Sequence, residues 1–247
     1  MVRVGLIRTA SNESKNALQL ILNRNMKRTL IALTLTVVLA GGAVRAAETT
    51  KFFAKSGSKM RMEGTSNIHD WQVESSLILG SLEAGPNFPT EPGQSVSPGK
   101  VDAKAEASVT VRSLKSLEKD GKPYSDKMDD VMYEKLKMQE SPKIVYRLTE
   151  LTLKEPAKSK DDPYVFEAKG ELAVAGVTNS ITMPVNVLPL GDKKLKVSAT
   201  TTIKMTDFKI EPPAPKIALG MIKTGDEVKI IFDWMLAQRP PAGTAAK

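Results

Sequence analysis

Residues 101–112 read VDAKAEASVTVR, and apolar and polar side chains alternate along this stretch without a break. The apolar set takes every second position and consists of Val101, Ala103, Ala105, Ala107, Val109 and Val111. A period of two residues is typical of a β-strand that buries one face. The stretch therefore predicts a strand whose small apolar side chains point towards a protein interior.

The same alternation recurs along the chain from Thr50 onwards. Two further long runs have apolar faces formed by Leu195, Val197, Ala199, Thr201, Ile203 and Met205, and by Val228, Ile230, Phe232, Trp234 and Leu236. Shorter runs cover 166–174 and 181–187, whereas 144–153 has a mixed phase that leaves its inward face open. Gly- and Pro-rich segments separate the runs, and the longest is 85–99. The pattern predicts about eight strands.

One segment has a helical period instead. Its apolar residues, spaced by three and four, are Met128, Val131, Met132 and Leu136. Ser125 is a candidate N-cap and Pro142 prevents continuation, so we expect a helix of three to four turns. Its apolar stripe suits two roles, a lid over one end of the fold or a permanent plug.

Together these elements predict an all-β fold, an antiparallel β-barrel of about eight strands with one short helix. Closing the sheet into a barrel leaves no unpaired edge strand, which favours this arrangement. A sandwich of two sheets has the same alternating pattern and stays open as the alternative.

Composition excludes several classes of protein. The 247 residues include no Cys, which excludes disulfides, thiolate metal sites and a lipoprotein anchor, so the fold depends on apolar burial. The formal net charge is +8, but residues 1–46 hold seven basic residues and one acidic residue, which leaves +2 for the rest. A charge of +2 attracts nucleic acid weakly, so we expect no nucleic-acid partner.

Residues 26–46 are organised like a secretory signal peptide. Basic residues at 27 and 28 precede an apolar run at 30–40, and small residues lead to cleavage after Ala46 or, as second choice, Ala47. The run is shorter than the roughly 20 apolar residues of a membrane-spanning helix, so we expect no integral membrane anchor. A buried core helix is the alternative. The pattern predicts a protein that is periplasmic or otherwise secreted.

The signal divides the chain into parts. Met26 begins a well-formed signal by itself, so we interpret 1–25 as a wrongly assigned or disordered upstream segment. One barrel domain is expected at 50–236. Residues 237–247 contain two consecutive prolines and small residues and predict a disordered tail.

Small inward residues raise the question of whether the barrel is hollow. The small residues are Ala103, Ala105, Ala107, Ala168 and Gly170, and the whole chain has only 12 aromatic residues. Empty volume costs about 24 cal/mol per Å³, so either a ligand or large side chains must occupy the space. Both interpretations stay open, because Phe166, Phe232, Trp234 and the Met residues could plug the core.

His69 is the only His in the chain and precedes Asp70. A zinc site needs three or four ligands, and neighbouring strand residues point to opposite faces, which disfavours a Ser-His-Asp triad. We therefore predict no catalytic residue and no metal site. His69 is either structural or touches a ligand headgroup at the barrel mouth, and an enzyme acting on a lipid would depend on these two residues.

Five motifs then occur in a recognisable order. They are GTSNIHDW at 64–71, VTVRSLKS at 109–116, SPKIVY at 141–146, GELAVAGVT at 170–178 and MTDFKI at 205–210. Together they resemble the YceI-like family of lipid- or polyisoprenoid-binding proteins of bacterial envelopes, over about 50–236. Two departures are Tyr146, where the family motif has Phe, and the long proline-rich loop at 85–99, which affects the shape of one barrel mouth.

The resemblance implies a lipocalin-like barrel with a long amphiphile inside, often in the periplasm. We expect a non-enzymatic binding protein for a polyisoprenoid, an isoprenoid quinone or a fatty acid derivative, with no cofactor besides such a lipid. The alternative is an envelope interaction or stress-response module with a filled barrel, working through its outer surface with the 85–99 loop as the candidate contact. The sequence leaves the oligomeric state open, a dimer included. The candidate ligand-binding residues, in the cavity or at its mouth, are His69, Trp71, Ala103, Ala105, Ala107, Met128, Met132, Leu136, Phe166, Ala168, Leu172 and Phe232.

Overall fold

The computed structural model describes residues 49–214 and 222–238. The predicted signal at 26–46, the segment 1–25 and the tail from 239 onwards lie outside the described residues. Ala237 and Gln238, which were assigned to the tail, belong to the last strand. The Gln238 N–H donates to the Lys193 oxygen, and Gln238 pairs with Phe52, so the sheet extends two residues further than expected.

The described residues form twelve strands and one α-helix. The strands before the helix are β1 (Thr50–Ala54), β2 (Lys59–Ser66), β3 (Trp71–Ser75), β4 (Leu79–Ala84), β5 (Gly99–Lys100), β6 (Ala103–Thr110) and β7 (Lys115–Leu117). The helix is α1 (Asp126–Lys135). The strands after it are β8 (Lys143–Glu155), β9 (Tyr164–Val174), β10 (Val177–Gly191), β11 (Lys194–Lys204) and β12 (Thr224–Gln238).

Register shows that the short strands are pieces of longer ones. Strands β1 and β2 both pair with β12, so together they form one interrupted wall strand. Strand β4 pairs with β1 and strand β3 pairs with β2, so β3 and β4 form the second interrupted wall strand. Strands β5, β6 and β7 form a third interrupted strand, broken by a 3-10 turn at Val111–Ser113. With β8 to β12 this gives eight wall strands, each antiparallel to its neighbours in the chain, and pairing of β1 with β12 closes the ring. The predicted closed barrel is confirmed, and the sandwich is excluded.

A β-bulge explains the mixed phase at 144–153. The register between β8 and β9 shifts between Leu148 and Glu150, which leaves Thr149 as an extra residue. Ile144, Tyr146 and Leu148 line the interior before the bulge, and Leu151 lines it afterwards. The Thr149 hydroxyl donates to the Lys169 oxygen at 3.0 Å.

In an up-and-down barrel, successive connections lie at alternate ends. The end that carries α1 also carries the loop at 67–70 and the segment 205–214 that follows β11, and we call it the helix end. The opposite end carries the long 85–98 loop and the 156–163 loop, and we call it the loop end.

Helix α1 is attached to the barrel by a polar contact. Ser125 occupies the N-cap position but makes no side-chain cap hydrogen bond. Asp129, 4% exposed, accepts hydrogen bonds from the Ser116 N–H and hydroxyl at 2.7 Å and from Lys115 Nζ at 2.9 Å. Burial alone would raise the pKa of Asp129, but these donors outweigh it and lower the pKa below its ordinary value. The carboxylate thus fixes the helix to β7.

Candidate functional site

An apolar cavity of ≈ 140 Å³ lies inside the barrel. Residues of all eight wall strands contribute, from Met60 on β2 to Trp234 on β12, and Phe88 of the 85–98 loop joins them. An engineered apolar cavity of about 150 Å³ holds benzene, so this space suits a ring or a short stretch of hydrocarbon. A longer chain would fit only if lining side chains moved aside.

Five of the candidate ligand-binding residues line this cavity. They are Ala105, Ala107, Ala168, Leu172 and Phe232. Ala103 and Phe166 lie on the same strands but outside the lining: Ala103 pairs with Ala84, and Phe166 is buried in the core. The central small residues of β6 and β9 therefore share one cavity wall. That these residues contact a ligand remains a prediction.

The other five candidates lie at the helix end, outside the cavity lining. These are His69, Trp71, Met128, Met132 and Leu136. Met132 and Leu136 pack against the core, and Met128 is half-buried. The structure therefore places the helix stripe against the barrel's apolar residues without giving it part of the cavity wall.

His69 and Trp71 have local partners. His69 is exposed; its Nδ1 donates to the Asp70 oxygen at 2.8 Å, and its ring meets Tyr124 edge-on at 5.9 Å. The Trp71 ring covers Gly64 on the paired strand, and its Nε1 donates to the Thr65 oxygen at 3.2 Å. Through these local contacts, the two side chains stabilise the conformation of the 67–70 loop and its flanking strands.

The proline-rich loop closes the loop end because one of its side chains, Phe88, lies inside the barrel. Phe88 is 2% exposed, lines the cavity and stacks on Phe166 with ring centroids 5.8 Å apart. The Tyr164 hydroxyl donates to the Gln94 backbone oxygen, and Gln94 Oε1 accepts from the Thr90 N–H at 2.9 Å. Because its aromatic residue is buried in the barrel, deleting this loop would open the interior as well as remove an outer surface.

Two polar atoms of the cavity wall lack a hydrogen-bond partner within the described part of the chain. They are the Tyr146 hydroxyl and Trp234 Nε1, both buried. Burial raises the pKa of Tyr146 to about 12, so the hydroxyl keeps its proton at neutral pH. An unsatisfied buried group of this kind costs about 1–3 kcal/mol. Two residues of the mostly apolar cavity wall therefore each carry a buried hydrogen-bond donor without a described partner.

Sequence reasoning missed these donors. Tyr146 had a signal, since it replaces the Phe of the resembling motif, but its hydroxyl was not read as a cavity group. Gly170 was expected to leave space near the axis, and this was wrong: a Cβ there would lie 2.5 Å from Tyr146 Cζ. The phenol ring already fills the space beside Gly170. Trp234 was expected only as a residue that could plug the core, and nothing in its strand pattern indicated an unpaired Nε1.

Among residues 49–214 and 222–238, no three His, Cys, Asp or Glu side chains are grouped so that they could hold a metal ion. The same residues contain no helix of the length and hydropathy that crossing a membrane requires.

Comparison with known proteins assigns the family. A YceI-like domain model matches residues 88–236, which excludes the 64–71 motif, and no curated protein matches. The structure of Burkholderia cenocepacia BcnA is similar, at 17% identity over 73% of this chain and 96% of that chain, with a TM-score of 0.51. A polyisoprenoid binding domain from Saccharophagus degradans, implicated in plant cell wall breakdown, shares 11% identity over 78% and 100%, with a TM-score of 0.55. Both likenesses concern the fold alone. The family match spans more than half of the sequence, and the chain belongs to the YceI-like family.

Proposed function

We propose that this chain is an exported binding protein that holds the apolar part of a lipid-like amphiphile in its barrel. The observation that carries the proposal is the cavity itself, an apolar space in a closed barrel with two unpaired donors in its wall. The Saccharophagus degradans neighbour, named for polyisoprenoid binding, supports the same class of ligand. Export rests on the signal-like segment at 26–46.

The two donors narrow the chemistry of the ligand. Trp234 Nε1 can only donate, and the protonated Tyr146 hydroxyl can donate as well. A plain hydrocarbon would leave both groups unsatisfied, whereas a carbonyl, ether or ester oxygen would accept from them. We therefore favour an isoprenoid quinone or another amphiphile with uncharged oxygens over an unsubstituted polyprenyl chain.

The cavity volume indicates that binding is coupled to movement of the lining. The space of ≈ 140 Å³ is too small for a long chain, but Met60 and Met183 line it. Unbranched Met side chains adapt to ligands of different shape at low cost. We expect a bound chain to displace them, together with Phe232, while the strands stay in place.

A binding comparison tests this function. The probe is a ubiquinone with a short isoprenoid tail, measured by equilibrium dialysis, and squalene is the oxygen-free comparison. Loss of one net hydrogen bond in Tyr146→Phe should weaken quinone binding by about 1 kcal/mol, roughly fivefold, and leave squalene binding unchanged. Tyr124→Phe, on the exposed surface, is the matched control. A wild-type protein that binds neither the ubiquinone nor squalene would contradict the proposal.

A further inference from the structure

The barrel wall is incomplete between β10 and β11. Their pairing begins at the loop end and stops at Val185 opposite Ala199. Beyond this point β10 still pairs with β9, and β11 still pairs with β12, but the two strands share no register with each other. Pro184, which has no N–H to donate, is the first residue of β10 beyond the paired part. The two strands therefore separate towards the helix end.

A cleft of ≈ 470 Å³ occupies this gap. Polar side chains of both strands line it, among them Asn179 and Thr202, and the 3-10 turn Thr206–Phe208 completes it. Asn179 Nδ2 donates to the Asp207 oxygen at 2.7 Å, which ties this turn to β10. The gap is thus a shaped space with hydroxyl and amide groups on its walls.

The cleft and the apolar cavity lie next to each other and share two lining residues. Ile181 of β10 and Thr201 of β11 belong to both linings. The loop end of the barrel is closed by Phe88, so it offers no comparable approach to the cavity. An amphiphile that reached the gap would pass from polar to apolar surroundings within the length of these two side chains.

We propose that the gap between β10 and β11 is a lateral portal, through which an amphiphile with an uncharged oxygen-bearing headgroup enters and leaves the barrel. Its chain passes between the two strands, and the cleft hydroxyls hold those ligand oxygens that remain outside the cavity. Among the described residues that line the cleft, Asp207 is the only charged one, and none of them is a basic residue that could pair with a phosphate. This inference rests on the proposed binding function.

A removable cross-link across the gap tests the portal. The chain has no native Cys, so an introduced pair has no competitor. Continuing the register of Val185 and Ala199 places Thr182 opposite Thr202, and both are exposed. The closing variant is Thr182→Cys/Thr202→Cys. The matched control is Asn186→Cys/Ser198→Cys, a pair already in register on the same two strands. Where the gap is too wide for a disulfide, a short bis-maleimide linker replaces it, and intact mass verifies closure.

Uptake and release of the short-tailed ubiquinone are followed by quenching of tryptophan fluorescence, with each protein measured open and closed. Closing the gap should slow both rates by roughly tenfold or more relative to the open form of the same variant, since a gate alters rates in both directions. The control pair should have no effect. Equal rates for the closed and open forms of Thr182→Cys/Thr202→Cys would overturn the portal while leaving binding intact. No uptake by any open form would refute the binding function, and the portal with it.

Discussion

The two ends of the barrel are built from different interactions. At the loop end, Phe88, Tyr164 and Phe166 are almost fully buried, and the seal is apolar packing. At the helix end, Asp129 holds α1 through charged hydrogen bonds, and Asp226 accepts from the N–H and hydroxyl of Thr206. Apolar packing is strong and insensitive to pH, whereas polar attachments are weaker and titratable. We infer that the loop end is the fixed base and the helix end is the adjustable side.

The largest expected effect is at the base. Truncating a core Phe costs about 3–5 kcal/mol, so Phe88→Ala should lower the free energy of unfolding by that order. Urea denaturation measures it. Phe53→Ala, on a half-exposed side chain of β1, is the control and should cost far less. Equal losses in the free energy of unfolding for the two variants would show that the loop end does not depend on burial of Phe88.

A second prediction concerns the space beside Gly170. In Gly170→Ala the new Cβ would lie 2.5 Å from Tyr146 Cζ and from the Arg147 oxygen, so the phenol ring must shift. Overpacking of this kind costs about 1–3 kcal/mol, and the displaced ring should also reduce ligand uptake. Thermal unfolding and quinone dialysis measure the two effects. A variant as stable as the parent would show that the ring is not packed on β9.

The third prediction separates the ends by pH. Because the folded pKa of Asp129 is lowered, its contribution is fully present above the unfolded pKa of about 3.9 and is lost as pH falls through the folded value. Asp129→Asn should cost about 1–3 kcal/mol at neutral pH and remove that acid-side loss. Urea unfolding at several pH values tests this. Asp130→Asn, exposed on the same helix, should change neither quantity.

The smallest effect is expected for Tyr146→Phe. Its hydroxyl has no partner in the described structure, so removing this unsatisfied group should raise the free energy of unfolding by about 1 kcal/mol. In the parent protein, one tyrosine should titrate at a pKa of about 12, because burial disfavours the phenolate. Ultraviolet absorbance against pH measures this titration, and Tyr146→Phe should abolish it. A large loss of stability would mean that the hydroxyl has a partner after all.

Strand period predicted the barrel well, because one face of each wall strand is buried and the other is not. The pattern does not show interruptions: the bulge at Thr149 shifts the phase of β8, and the 3-10 turn at Val111–Ser113 divides the third wall strand. Asp129 could not be found by an apolar stripe, since it is a polar residue buried by specific partners across the fold. Hydrophobic period describes burial along one strand and contains no information on what lies opposite.

The site was predicted in part for the same reason. Ala105, Ala107 and Ala168 line the cavity as the small inward faces indicated. The volume that remains depends on the opposite wall, where Tyr146 fills the space beside Gly170. The gap between β10 and β11 depends on the pairing of two strands. Pro184 alone signals it, and a proline within an alternating run is a weak signal.

The measurement that tests the central claim most directly is organic extraction of the protein purified from its native host, followed by mass spectrometry of the extract. We predict an amphiphile with a long apolar chain and uncharged oxygens, close to one molecule per barrel. Quenched Trp234 fluorescence in the purified protein should recover when the ligand is removed. An extract without lipid, from a protein that also refuses quinones, polyprenols and fatty acids, would contradict the account.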